Sequence, residues 1–186
     1  MKEKLKKIYD NKIFKIVRKI ISIVLTILLV LIFLVIVVQK VSNNQVNFGG
    51  FGVYTIATGS MEPEYRVKDL LLASKVDPKD INIGDDVVYL GKEESLSGKI
   101  IIHRVIYKAE ENGRIKFMTQ GIANSLSDPE IDESQVMGVV QHKLYILSFC
   151  SHAINNTYGL ILLVIIPFIV FVFMEGKHLI DDAYKE

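Results

Sequence analysis

Ser60 stands in the short segment ATGSMEP, residues 57–63. A serine hydroxyl is a weak nucleophile until a neighbouring base takes its proton, so the first question is which base the chain offers. The common signatures are absent. No Ser-x-x-Lys occurs, and T-G-S-M-E is not the G-x-S-x-G of a nucleophile elbow. There is no H-E-x-x-H, no P-loop and no paired-cysteine zinc pattern, so neither a metal nor a cofactor is expected.

Four histidines remain. His142 falls in a strand-like run, His152 leads into an apolar stretch, and His178 lies in the C-terminal tail. His103 sits inside the apolar run IIIHRVI. Strand alternation places Ile101, His103, Val105 and Tyr107 on one face, and Ile100, Ile102, Arg104 and Ile106 on the other. A polar residue on such a stripe is either a satisfied core group or a base facing a cleft. An imidazole titrates near pH ~6.5 and can accept a proton at ordinary pH. Arg104, on the opposite face, reads as structural. Cys150, the only cysteine, could pair with His152 as a thiol catalyst, but its apolar setting suits a buried, inert thiol better.

These residues need a frame. Residues 39–157 read as mostly β. Strands are expected at 69–76 (DLLLASKV), 85–90 (DDVVYL), 99–110 (KIIIHRVIYKAE), 114–121 (RIKFMTQG) and 134–147 (SQVMGVVQHKLYIL). Asn112-Gly113 between two of them is a hairpin signal. The stretch QKVSNNQVNFGGFGVY reads as a glycine-rich linker leading into the sheet. No repeat or low-complexity tract interrupts the pattern.

The flanks differ in kind. Of the 186 residues half are hydrophobic, and the net charge of +1 excludes a general polyanion binder. Yet residues 1–19 carry eight Lys or Arg against Glu3 and Asp10. That basic arm reads as the flank of a membrane helix and not as a nucleic-acid contact. Residues 20–38 hold only Ser22 and Thr26 as polar groups and would span about 28 Å as a helix, enough for a hydrocarbon core. No small-x-small cleavage site follows, so the run is expected to be a retained anchor. Residues 158–174, with Pro167 inside, are the second expected span, against a re-entrant hairpin or core helix as alternatives. The arm then places the N-terminus and residues 175–186 in the cytoplasm and residues 39–157 outside. A domain with one cysteine is held by its core and not by disulfides.

TGSMEP, then GDDVVYL, then IIHRV, then TQGIANSLSD resemble the successive boxes of the type I signal peptidase family. The resemblance covers residues 54–140 and the leading anchor. The histidine makes the chain similar to the ER-type branch, found in archaea, the eukaryotic ER complex and some spore-forming bacteria. In the ordinary bacterial branch a lysine takes the place of His103. The resemblance implies a small, mainly β catalytic domain on the membrane, flanked by transmembrane helices. It implies Ser60 as nucleophile, His103 as general base, and the Thr58 hydroxyl with the Ser60 amide as oxyanion hole. Met61 matches a position packed near the site and the bilayer. The acidic box departs from the family's Gly-Asp-x-Asn: Gly121 and Asn124 are in place, but Ile122 replaces the first aspartate. Asp128 matches the later aspartate and is the expected third member. Asp132 is the alternative, and a Ser-His dyad is also open. The implied activity is cleavage of signal peptides from exported preproteins after small residues, with the lipid bilayer and secretion-machinery subunits as partners. Two further readings stay beside it: an inactive or accessory module of the same fold, and a dedicated protease with few substrates.

Overall fold

The computed structural model describes residues 12–41, 45–93 and 96–173. The expected basic arm falls largely outside them, and the tail 175–186 wholly so. The chain divides into two compact units. One is residues 36–151, and the other is made of residues 1–35 and 152–186.

In the second unit, helix α1 (Lys12–Ile36) carries the N-terminal apolar run. A π-turn, Val37–Val41, extends it into the first unit. The helical stretch Ile16–Lys40 is the one helix among the described residues long and apolar enough to cross a membrane by itself. Its side chains are apolar nearly all round, and Ile20, Val24 and Ile27 are exposed, as suits a lipid-facing helix. The C-terminal run is helical over α3 (Thr157–Phe173), capped by the Asn156 side chain on the amides of Tyr158 and Gly159. It reaches spanning length only when counted with the helix before it.

The first unit is one antiparallel sheet. Its strands are β1 (Gln45–Phe48), β2 (Phe51–Thr55), β3 (Leu70–Ser74), β4 (Asp86–Leu90), β5 (Ile100–Glu111), β6 (Arg114–Gln120), β7 (Ile131–Asp132) and β8 (Val136–Lys143). The spatial order is β1-β2-β3-β8-β4-β5-β6-β7. The β5–β6 turn falls at Asn112-Gly113, both with positive φ, the backbone a tight hairpin requires.

Two expectations are corrected. From Gln45 on, the expected glycine-rich linker is instead the β1–β2 hairpin, closed at Gly49-Gly50 and paired from Gln45↔Tyr54 to Phe48↔Phe51. The strand expected over 134–147 ends at Lys143, and helix α2 (Tyr145–Ile154) follows. The Leu144 amide still bonds to the Leu70 carbonyl at 2.8 Å. Beyond it, Ser148 and Ser151 fall on one helical face and bond to the backbone of β3 and of the loop before it. Strand-like composition gave way to that tertiary contact.

The sheet buries both faces. Val87, Tyr89, Val105, Phe117 and Ile131 share one cluster, and Tyr54, Leu71, Val88 and Ile102 another. Alternate residues of β4 and β5 thus go to opposite cores, which is why their sequences read as continuous apolar runs and not as apolar–polar alternation. Each fully buried Val, Leu or Phe contributes about 1.5–3 kcal/mol. This two-sided packing fixes the register of β5, and with it the place of His103.

Candidate active site

Ser60 lies in a single 3₁₀ turn, Gly59–Met61, entered from extended Thr58. Met61 is fully buried and pins the turn from beneath. Its carbonyl accepts the Tyr65 amide, and that of Gly59 accepts the Glu62 amide, each at 3.0 Å. On the other side the Ser60 carbonyl accepts the Ala123 amide at 2.9 Å. The approach of the 121–124 turn is close. A Cβ on Gly121 would stand 2.7 Å from the Ser60 carbonyl oxygen and 2.9 Å from its Cβ. Only a glycine fits there without a shift.

His103 projects from β5, opposite Val87 of β4, and is buried. Its Nε2 lies 3.0 Å from Ser60 Oγ, and its Nδ1 lies 2.5 Å from Asp128 Oδ2. An ionised carboxylate only accepts hydrogen bonds, so the proton sits on Nδ1 and the Nε2 lone pair faces the serine hydroxyl. Thr58 Oγ1 is 3.2 Å from Ser60 Oγ.

Asp128 is held by more than the histidine. Its Oδ2 also accepts the Thr119 hydroxyl at 2.7 Å and the Tyr89 hydroxyl at 3.1 Å, and its amide donates to the Thr119 carbonyl at 2.7 Å. Burial pushes its carboxyl pKa up. The hydrogen bonds from His103 and Thr119, the His103 charge and the Tyr89 hydroxyl outweigh that, and the net shift is downward. Tyr89 is pushed well above the ordinary phenol range, first by burial and then by the Asp128 charge and hydrogen bond, against the Thr119 hydrogen bond. It therefore stays a donor.

The structure thus brings Ser60, His103, Asp128 and Thr58 together. Asp132 is placed elsewhere: it caps the 3₁₀ turn Glu133–Gln135, accepting the Ser134 amide at 2.9 Å. His142 lies in β8 paired with Leu72, and Cys150 is buried in α2. Arg104 points to the other face, as alternation requires. Its Nε and Nη2 clamp Asp86 of β4 at 2.8 and 3.0 Å, and Nη2 reaches Glu64 at 2.6 Å. Tyr65 donates to the same Asp86 at 3.0 Å. The clamp therefore ties the segment just after the Ser60 turn to β4 and β5.

The sequence reading assigned no role to Tyr89 or Thr119. The signal was present in the register. Cross-strand partners share a face, and the pairs Val87↔His103, Tyr89↔Ile101 and Val105↔Thr119 set Tyr89, His103 and Thr119 on one face.

No family model matches the chain. Among curated proteins it is similar to the signal peptidase complex catalytic subunit SEC11C of Homo sapiens, Canis lupus familiaris and Mus musculus. Identity is 35% over 77 residues in each case, which is 41% of this chain and 38% of each relative. The matched part is thus well under half the length of these relatives. Over that stretch the chain is similar to signal peptidase complex catalytic subunits.

Proposed function

We propose that this protein is a membrane-bound serine endopeptidase that removes N-terminal signal peptides from exported preproteins, with Ser60 as nucleophile, His103 as general base and Asp128 as the group that orients it. The observation carrying the reading is the unbroken line from Ser60 Oγ through the His103 ring to Asp128 Oδ2, at 3.0 and 2.5 Å. The relationship to signal peptidase catalytic subunits supports the substrate class.

In the first step His103 Nε2 takes the Ser60 proton as Oγ attacks the scissile carbonyl. The imidazolium that forms is stabilised by Asp128, which stays ionised. The Thr58 hydroxyl and the Ser60 N–H hold the developing oxyanion. Removing one such donor typically costs about a hundred- to a thousandfold in kcat. His103 then gives its proton to the leaving amine. The acyl-enzyme carrying the signal peptide is hydrolysed by a water that His103 activates in turn.

Residues 20–38 serve as anchor and residues 158–174 as a second membrane segment. The basic arm keeps the N-terminus cytoplasmic and the sheet unit, residues 39–157, outside. Holding enzyme and precursor in one bilayer raises their effective concentration at the cut. Ile122 takes nothing from the relay, since the carboxylate on His103 comes from Asp128.

The test is precursor cleavage in detergent micelles, wild type beside Ser60→Ala, with the cut read by mass spectrometry. The expected result is a wild-type cut after a small residue at the end of the signal peptide, absent in the variant. Cleavage by the variant at the wild-type rate overturns the nucleophile. No cut of any precursor by folded wild type overturns the enzyme reading.

A further inference from the structure

Helix α2 is amphipathic the wrong way round for a helix in water. Its inward face carries hydroxyls: Ser148 Oγ accepts the Leu70 amide at 2.9 Å, and Ser151 Oγ donates to the Lys68 carbonyl at 2.7 Å. Its outward face carries Tyr145, Ile146 and Phe149, which are 75%, 69% and 63% exposed. The spacing i, i+1, i+4 puts the three side chains on one stripe. The Lys143 ammonium lies 5.6 Å from the Tyr145 ring centre, a cation–π distance. A basic residue beside a half-wet tyrosine is the composition of a membrane–water boundary.

A second contact fixes the level of that stripe. The apolar run of α1 ends in the π-turn at Gln39, and Gln39 Nε2 donates to Ser151 Oγ at 2.5 Å. Gln39 is itself buried in the sheet unit. The helix bearing the exposed aromatics is therefore bonded to the point where the anchor stops being apolar. Its hydrogen bonds to β3 and the preceding loop also keep it on the sheet unit, so it is not the first half of a span.

We propose that α2 lies in the bilayer interface, with Tyr145, Ile146 and Phe149 seated among lipid headgroups and upper acyl chains. The proposal rests on reading α1 as a membrane anchor. It commits to lipid as the occupant because the adjoining α1 run and the α3 helix two residues on are both apolar around their circumference.

The test uses the full chain in lipid nanodiscs. Cys150→Ala removes the only cysteine. Single cysteines are then introduced as Phe149→Cys, Val24→Cys and Lys79→Cys, and each carries an environment-sensitive fluorophore. Lipids bearing a nitroxide near the headgroup or deep in the acyl chain are the quenchers. Quenching at position 149 by the shallow nitroxide is expected to exceed that at position 79 about threefold or more, while position 24 responds best to the deep one. If position 149 matches position 79 while position 24 is quenched, the anchor stands and the interfacial helix falls. Position 149 quenched best by the deep nitroxide overturns the proposal, since α2 would then be inside the core. Shielding from aqueous iodide without lipid quenching overturns it in favour of a protein cover. No quenching at position 24 removes the anchor reading and the proposal together.

Discussion

At the residue scale the site turns on one carboxylate oxygen. Asp128 Oδ2 accepts from His103, Thr119 and Tyr89, so the carboxylate has little freedom to turn away from the imidazole. The two hydroxyls belong to fully buried residues, which makes their geometry rigid. Their removal has a signed consequence. Asp128 has a folded-state pKa below its ordinary value, so its contribution to stability is present above the ordinary carboxylate range and is lost as pH falls through the lowered value. Thr119→Val deletes one of the bonds that lower it and leaves the burial that raises it. The Asp128 pKa is then expected to rise, and acid unfolding to become less steep in that window. A carbon-13 titration of the carboxyl in detergent checks the first, and thermal unfolding against pH the second. An unmoved Asp128 titration would show that the Thr119 bond does not hold the carboxylate. Ser60, His103 and Asp128 could be singled out as candidates from the sequence because they fall in short ordered boxes. Thr119 and Tyr89 could not, because their role exists only once three strands are in register.

At the element scale two contacts hold the Ser60 turn in place. The 121–124 turn approaches so closely that a methyl on Gly121 meets the Ser60 carbonyl and Cβ. Gly121→Ala is therefore expected to displace Ser60 by a few tenths of an ångström or more. A misplacement of about 1 Å can cost about a hundredfold in rate, so a smaller but measurable loss of kcat is expected. Thermal unfolding should show a fold still intact, and cleavage at the wild-type rate would mean that the turn relaxes without moving the serine. The Arg104 clamp acts from the other side. Arg104→Gln leaves Asp86 buried with Tyr65 as its remaining side-chain donor, and hydrogen bonds to charged groups contribute about 1.5–3 kcal/mol. A lowered melting temperature is expected, with kcat reduced because the segment after Ser60 loosens. An unchanged melting temperature would assign the clamp no structural weight. The same scale shows what the sequence could and could not convey. Strands β3 to β6 were legible because β-branched runs and an Asn-Gly turn are local signals. The β1–β2 hairpin was hidden by three glycines in Asn47–Tyr54, which lower strand propensity although partners on β3 hold the strand. The β8–α2 boundary was hidden because KLYIL suits strand and helix equally. Two serine hydroxyls bonded to distant backbone decide it.

At the scale of the whole chain, the question is what connects the end of the apolar helix, Gln39, to the segment that carries Ser60. A line of hydrogen bonds inside the sheet unit supplies the connection. Gln39, at the end of the apolar helix, donates to Ser151, and Ser151 donates to the Lys68 carbonyl. The Lys68 amide donates to the Ile56 carbonyl at 2.8 Å, and the Ile56 amide donates to the Asp69 carbonyl at 2.9 Å. Ile56 stands four residues before Ser60, on the segment that leads into the Ser60 turn. Asp69, almost fully buried, is in turn held by Lys143 at 2.5 Å and by the Arg66 amide at 2.8 Å. The line carries position and not chemistry, because none of its members touches the reacting atoms. Gln39→Leu keeps the size and removes the donor. If the line positions the serine, this variant should cut a short soluble peptide at the wild-type kcat/KM. On membrane-embedded precursors it should cut at several neighbouring bonds instead of one. Mass spectrometry of the products reads the spread, and Gln39→Asn, which keeps an amide, should narrow it again. A single cut site in Gln39→Leu would show that the anchor's end has no part in choosing the bond. A parallel loss of activity on the soluble peptide would show that the contact only supports the fold.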